Sequence, residues 1–361
     1  MKTLLVAAGF TILSAIASVG AWAVPGQSTT PTGAAFTSAC AGNGYSGSTS
    51  VGNAINNGVS TSSGSGAFIS SLTCVTNTSG VGGQATTGTL SSASAYNGHA
   101  YSNSASAIAQ PGVIKLQSTN TGSSASAFPG AGAQGGWNET FTPVGGGTNG
   151  TPGILVVPMH VSGHMESNGV GANGLFEIGA YRNNAFLQPY GNAINQASYN
   201  VFQALNSAFN PHINQMSVAV GTVLFGWDYQ MKPYGAVDYG PGALTTTSLV
   251  IDEVVHFAIP ITWGQSFLLG IYAMTSSGET ASGGAVVLNT ASAEFQNTVF
   301  WTGDYYALAA DGSGGPITGF SLTSGSGIDY SMSFEAPEPA SLSILAGGLV
   351  AMGLLRRRAQ R

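Results

Sequence analysis

The sequence predicts an all-β protein, an antiparallel β-sandwich of jelly-roll type followed by a single apolar C-terminal helix. Three observations carry this. Stretches such as "SASAYNGHAYSNSASAIAQPGVIKL" alternate small or polar with apolar residues, the period of a half-buried strand. Strand-like text recurs roughly every 10 residues with Gly, Asn or Pro between, the rhythm of a sandwich. The composition, with 53 glycines and only 6% charged residues, supplies turns in abundance and leaves the surface to Ser, Thr, Asn and Gln.

Taken in order, the chain opens on a basic Lys2, an apolar run over 4–16 and an A-x-A pattern at Ala21 and Ala23. These are the parts of a signal peptide over 1–23, which places the mature start near Val24. Residues 24–90 form a Gly/Ser/Thr-rich, low-complexity segment that can bury little apolar surface. It reads as either a flexible stalk or a set of edge strands held by Cys40 and Cys74. Those are the only two cysteines, and export to an oxidising compartment predicts a disulfide between them. Closing that loop would remove chain entropy worth about 4 kcal/mol.

Residues 91–335 are expected to form the sandwich. In 249–259, Leu249, Ile251, Glu253, Val255, Phe257 and Ile259 share a largely apolar face, whereas Val250, Asp252, Val254, His256 and Ala258 share the other. "GILVVPMHVSG", "GLFEIGAY", "SFLLGIYAM", "GGAVVLNTASAEF" and "TVFWTGDYYAL" are further strands. Trp137, Trp227, Trp263 and Trp301 are candidate core anchors. One helix is expected over 192–209, where Ile194, Val201, Phe202, Leu205 and Phe209 fall on one stripe. Asn138, Glu139 and Thr140 match a glycosylation sequon as a pattern.

Several residues invite a chemical reading. His160 and His164, with Glu166 nearby, have the H-x-x-x-H spacing of a helical zinc site, but the preceding "ILVVP" is strand text. Histidines four apart on a strand stand about 13 Å from each other, so these read as ordinary strand residues. Ser313 in "DGSGGP" resembles the nucleophile segment of chymotrypsin-like proteases without the Gly-Asp that should precede it. A triad with His256 and Asp304 is therefore disfavoured against a glycine-rich turn. Asp228, Asp238, Asp252 and Glu253 could offer oxygens to calcium, but match no EF-hand or nonapeptide-repeat spacing and read as solvated or capping carboxylates. In 225–240, Trp227, Tyr229, Tyr234 and Tyr239 alternate with acids. They form a possible sugar-binding set, or else aromatics that cap the sandwich. No catalytic set converges, so no enzyme activity, cofactor or metal is expected.

Between 24 and 336 the chain has three basic residues, Lys115, Arg182 and Lys232, against thirteen acids, a balance of −10. Phosphate recognition needs clustered Lys and Arg, so a nucleic-acid partner is excluded.

The last segment, 336–361, joins three parts: Pro337, Glu338 and Pro339; an apolar stretch over 340–355; and Arg356, Arg357, Arg358 and Arg361. As a helix the stretch measures about 24 Å, slightly short of a hydrocarbon core of about 30 Å, and the arginines favour a cytoplasmic C-terminus. This tripartite order resembles the PEP-CTERM sorting signal of Gram-negative bacteria. The resemblance implies recognition by exosortase, a membrane-embedded cysteine protease, transient residence in the inner membrane and removal of the tail. It further implies a cell-surface or extracellular-matrix protein associated with exopolysaccharide, biofilm or floc. The expected role is structural, through polysaccharide or self-association, with a carbohydrate-binding adhesin as the alternative and a secreted hydrolase third.

Overall fold

A computed structural model describes residues 32–43, 71–96, 99–123, 130–168, 172–183, 193–206, 223–231, 246–279 and 288–334. The first half of the described chain forms β1 (Ala35–Asn43), β2 (Ser71–Thr78), β3 (Ala85–Tyr96), β4 (His99–Gln110), β5 (Val113–Ser123), β6 (Gly130–Val144) and β7 (Pro152–Asn168). The second half forms β8 (Ala172–Asn183), α1 (Ala193–Asn206), β9 (Val223–Met231), β10 (Thr246–Thr262), β11 (Phe267–Glu279), β12 (Leu288–Trp301), β13 (Tyr306–Ala309) and β14 (Ser321–Ser324). The all-β, antiparallel class read from the sequence is the one observed.

Sheet A runs β2-β1-β6-β11-β8-β9 with β14 beside β6, and sheet B runs β10-β7-β12-β5-β4-β3 with β13 beside β7. The sheets stack face to face: β2 lies against β3, β1 against β4, β6 against β5, β11 against β5 and β12, and β8 against β12 and β7. Within them, β5 to β12 form four nested antiparallel pairs: β5 with β12, β6 with β11, β7 with β10 and β8 with β9.

The interior changes character along the strands. At one end the inward positions are Ala39 and Ala41 on β1, Ala105 and Ala107 on β4, and Ala131 and Ala133 on β6, all buried. Side chains this small let the layers approach: a Cβ added at Gly135 would stand 3.0 Å from Ile114 Cγ2 and 3.3 Å from Ala109 Cβ. At the other end Trp137, Phe141, Trp301 and Tyr330 form one cluster. Tyr330 lies 4.8 Å from Phe141, 5.1 Å from Trp301 and 5.5 Å from Trp137, centroid to centroid. Trp263 is buried as well, under the glycines of 145–153. Trp227 lies on β9, where only its backbone is described.

The Gly/Ser/Thr-rich segment is partly structural. β1 sits between β2 and β6, an interior position in sheet A, and the expected boundary at 90 falls inside β3. Alanine and glycine suffice there because the opposing strands are equally small. Cys40 is buried and disulfide-bonded, and the β1–β2 register sets Cys74, the other cysteine of the chain, directly across from it. The sequon residue Asn138 is fully buried in β6, which leaves no room for a glycan in the folded protein.

α1 explains how an edge is closed. β10 pairs with β7 on one side only, so its outer backbone groups need partners. Asn206 provides them as a peptide group would: its Nδ2 donates to His256 O at 2.9 Å and its Oδ1 accepts from His256 N at 3.0 Å. One strand period further, Ala258 O accepts from the Ser198 hydroxyl, and Pro260 has no N–H to leave unpaired. The buried stripe of α1 is thus Ser198, Val201, Phe202 and Asn206. The apolar stripe expected from the sequence lacked its two polar members, whose purpose depends on β10. Asn206→Ala is expected to cost roughly 1–3 kcal/mol, by leaving the His256 N–H and C=O unpaired. Urea denaturation of the variant beside Ser198→Ala measures it.

The segment after β14 closes the aromatic end. Trp301 Nε1 donates to Tyr330 O at 2.9 Å, Phe334 N donates to Trp301 O at 3.0 Å, and the Phe334 ring lies over Gly112, where a Cβ would come within 2.6 Å of it. Glu139 is buried on β6 beneath this segment. Its Oε1 accepts from Thr140 N at 2.8 Å and Ser326 N at 3.2 Å, and its Oε2 from the Ser326 hydroxyl and from Tyr330 OH at 3.5 Å. Burial, the nearby carboxylate charge and that hydrogen bond together hold the Tyr330 phenol well above its ordinary range. Glu139→Ala should lose about 2–4 kcal/mol, because it strands two N–H groups beside an aromatic cluster. Glu139→Gln, which keeps an acceptor, should lose less by the same denaturation measurement.

Candidate functional site

Regular structure builds a broad polar surface on the outer face of sheet B. Its residues are the alternates of those that fill the core, so period-2 geometry selects them. One row crosses six strands, from β3 to β10, as Ser91, Ser104, Thr119, Ser292, Glu166 and Ser248. The next row reads Thr89, Ser106, Gln117, Glu294, His164 and Val250. A third contributes Ser102, Thr121, Thr290 and Asn168. Neighbouring strands stand about 4.8 Å apart, so donors and acceptors repeat at that interval across the sheet.

Local hydrogen bonds hold parts of the array in place. The Ser104 and Thr119 hydroxyls lie 2.6 Å apart, and Gln296 Nε2 donates to Gln117 Oε1. Gln296 reaches Gln117 because the β12 register shifts between Phe295 and Val299, a bulge that carries the exposed Gln296. On the β7 and β10 side, His160 Nε2 stands 2.9 Å from Asp252 Oδ1, and the His160 ring lies tilted against Phe300 with centroids 4.8 Å apart. Val250, 75% exposed, adds an apolar spot opposite His164. Among the described residues the face offers mainly neutral hydroxyls and amides, with Lys115, Glu166, Glu294 and Asp252 as its charged members.

The residues singled out in the sequence fall as follows. His160, His164 and Glu166 all lie on β7 and share this outer face, with His160 engaged by Asp252 and His164 opposite Glu294. Among the described residues no three His, Cys, Asp or Glu side chains converge as a metal site. Of the acids considered for calcium, Asp228 lies opposite Glu177 between β8 and β9, Asp252 and Glu253 lie on β10, and Asp238 is outside the described residues. Ser313 sits in a turn where Asp311 Oδ1 accepts from its N at 2.9 Å and from its hydroxyl at 2.7 Å, which holds Asp311 below the usual carboxylate range. His256 is tied to Asn206 through its backbone. The turn reading of "DGSGGP" therefore accounts for Ser313.

The 225–240 stretch is not a single loop. Residues 223–231 are strand β9, in which Trp227 pairs with Ile178 and Tyr229 with Phe176, both core residues. Tyr234 and Tyr239 lie outside the described residues, as do Ala21, Ala23, Pro337, Glu338, Pro339, Arg356, Arg357, Arg358 and the apolar stretch 340–355. No helix among the described residues is long and apolar enough to cross a membrane. The hydroxyl face was not singled out from the sequence, although its members are the polar alternates of "YSNSASAIAQ", "LQSTNTG" and "NTASAEF". Comparison with protein-family models, with curated proteins and with solved structures finds no match for this chain.

Burial depresses the His256 pKa below 6.5, so the folded protein takes up a proton less readily than the unfolded chain. Its stabilising contribution is complete above the unfolded value and is lost as pH falls from about 6.5 through the lower folded value. His256→Gln should therefore flatten the decline of Tm between about pH 7 and 5, as read by calorimetry at each pH.

Proposed function

We propose that this chain is an exported, non-enzymatic jelly-roll protein of the cell surface or extracellular matrix, sorted through its C-terminal tail by exosortase and associated with exopolysaccharide. The observation that carries the polysaccharide reading is the outer face of sheet B, with its rows of exposed or half-exposed Ser, Thr, Asn and Gln. Sugar hydroxyls and such side chains can exchange donors and acceptors across a flat contact at little desolvation cost, because neither side carries much charge. The four nested strand pairs support the finer classification as a jelly roll. The register of Cys40 and Cys74 supports a bridge between them, which suits an oxidising exterior.

The sorting reading rests on the order Pro337-Glu338-Pro339, apolar stretch and arginine cluster. It is compatible with the fold, since the aromatic core takes its last described residue from Phe334, ahead of Pro337. A cut near Pro337 would remove none of the described core. The 225–240 aromatics are the weaker sugar candidate, because Trp227 and Tyr229 pair with core positions.

Intact mass and peptide mapping of the protein recovered from the native cell surface test the whole reading. A start near Val24, a C-terminus close to Pro337 and a Cys40–Cys74 peptide under non-reducing conditions are expected. A chain still ending at Arg361 in the inner membrane would refute sorting. Independently, the double variant Thr119→Lys with Ser292→Lys should weaken co-sedimentation with the producing cell's own polysaccharide several-fold, with Tm little changed. Unchanged retention would remove sheet B from the proposal.

A further inference from the structure

Between the sheets, at the alanine-rich end, the core contains polar residues where aliphatic ones are expected. Asn103 on β4 and Asn120 on β5 are direct cross-strand neighbours on the inner face of sheet B, and Ser118 is the next inward position of β5. Thr275 and Ser277 come from β11 of the opposite sheet, where they pair with the inward-facing Ala133 and Ala131. β11 lies against β5, so the two sets face each other across the interior. All five residues are at most 2% exposed.

One of their polar atoms is satisfied: Asn103 Nδ2 donates to Gly42 O at 2.7 Å. Asn103 Oδ1, Ser118 Oγ, both amide atoms of Asn120, Thr275 Oγ1 and Ser277 Oγ have no partner in the protein. An unpaired buried amide or hydroxyl costs as much as a lost hydrogen bond or more, and six such atoms together would consume a large part of a domain's net stability. Native interiors avoid this by pairing such groups with protein, water or ligand. No large side chain of sheet B stands beside them to cover these groups, because Ala105 and Ala293 flank Ser118 and Ala291 flanks Asn120. Two β5 positions nearer the aromatic end, the same inner face carries Leu116 and Phe295.

We propose that Asn103, Ser118, Asn120, Thr275 and Ser277 line an internal binding site for small neutral hydroxyl-bearing molecules. The lining offers both donors and acceptors, which matches hydroxyl groups that can serve as either. None of the five side chains carries a charge, and a charged occupant would be left uncompensated at this depth. Such hydroxyls have two sources, a cluster of buried waters or a small polyol. This site is separate from the outer face of sheet B and does not depend on the polysaccharide reading.

The test uses the wild-type protein purified from its native source, so it does not rely on any variant folding. A crystal structure at about 1.5 Å should show density between the sheets within hydrogen-bond distance of Asn120 and of Thr275 or Ser277. Native mass spectrometry of the same preparation separates the sources: a mass excess identifies a polyol, and the bare mass with density present identifies water. A dry interior, in which Asn120, Ser118, Thr275 and Ser277 bond directly to one another, would overturn the proposal. In Asn120→Leu the density contacting position 120 should be lost while that at Thr275 and Ser277 persists or shifts. Density unchanged in that variant would equally overturn it.

Discussion

β6 is the strand on which both halves of the molecule depend. Over Gly130–Val144 it passes from Ala131 and Ala133, where the layers nearly touch, to Trp137, Glu139 and Phe141, where large rings hold them together. It pairs with β1, β11 and β14, so it ties the small-residue extension to the nested strands and to the closing segment. A change of interior thickness along one strand needs a matched change on every strand opposite. The chain supplies it, with Ala105, Ala107 and Ala109 on β4 at the thin end and Trp301 and Tyr330 at the thick one. Packing at crystal-like density leaves no other way to combine such different side chains in one core.

A chain with 6% charged residues must separate inside from outside by other means. Here the distinction is between alanine, aliphatic or aromatic side chains inward and hydroxyl or amide outward, and on β4 and β5 it follows the strand period with Asn103, Ser118 and Asn120 as inward exceptions. The few charges are used individually: Asp252 meets His160, Asp311 and Asp329 close short turns with Ser313 and Ser331, and Glu139 anchors the closing segment. The β10 edge is managed without lysine, through Pro260 and the side chains of Ser198 and Asn206.

The class of the fold was legible because alternation is a local property. The buried face of β10 agrees with the alternation at Ile251, Val255, Phe257 and Ile259, and the expected helix lies within a few residues of Ala193–Asn206. What stayed hidden was relational. That β1 to β3 belong to the sandwich depends on equally small residues far along the chain. The role of Asn206 depends on an edge strand fifty residues away. The hydroxyl face likewise exists only once β4, β5, β12 and β7 are neighbours, so no window of sequence could display it. Trp227 and Tyr229 drew attention as aromatics in a polar stretch, whereas their strand pairs them with Ile178 and Phe176.

The nesting of β5 with β12 also orders events in time. The first strand of the nest finds its partner only after the intervening strands exist, and Tyr330 and Phe334 complete the interior later still. Such long-range closure slows folding and exposes unpaired strands meanwhile. A chain that emerged amino-terminus first would thus stay open at its aromatic end until Tyr330 and Phe334 were in place.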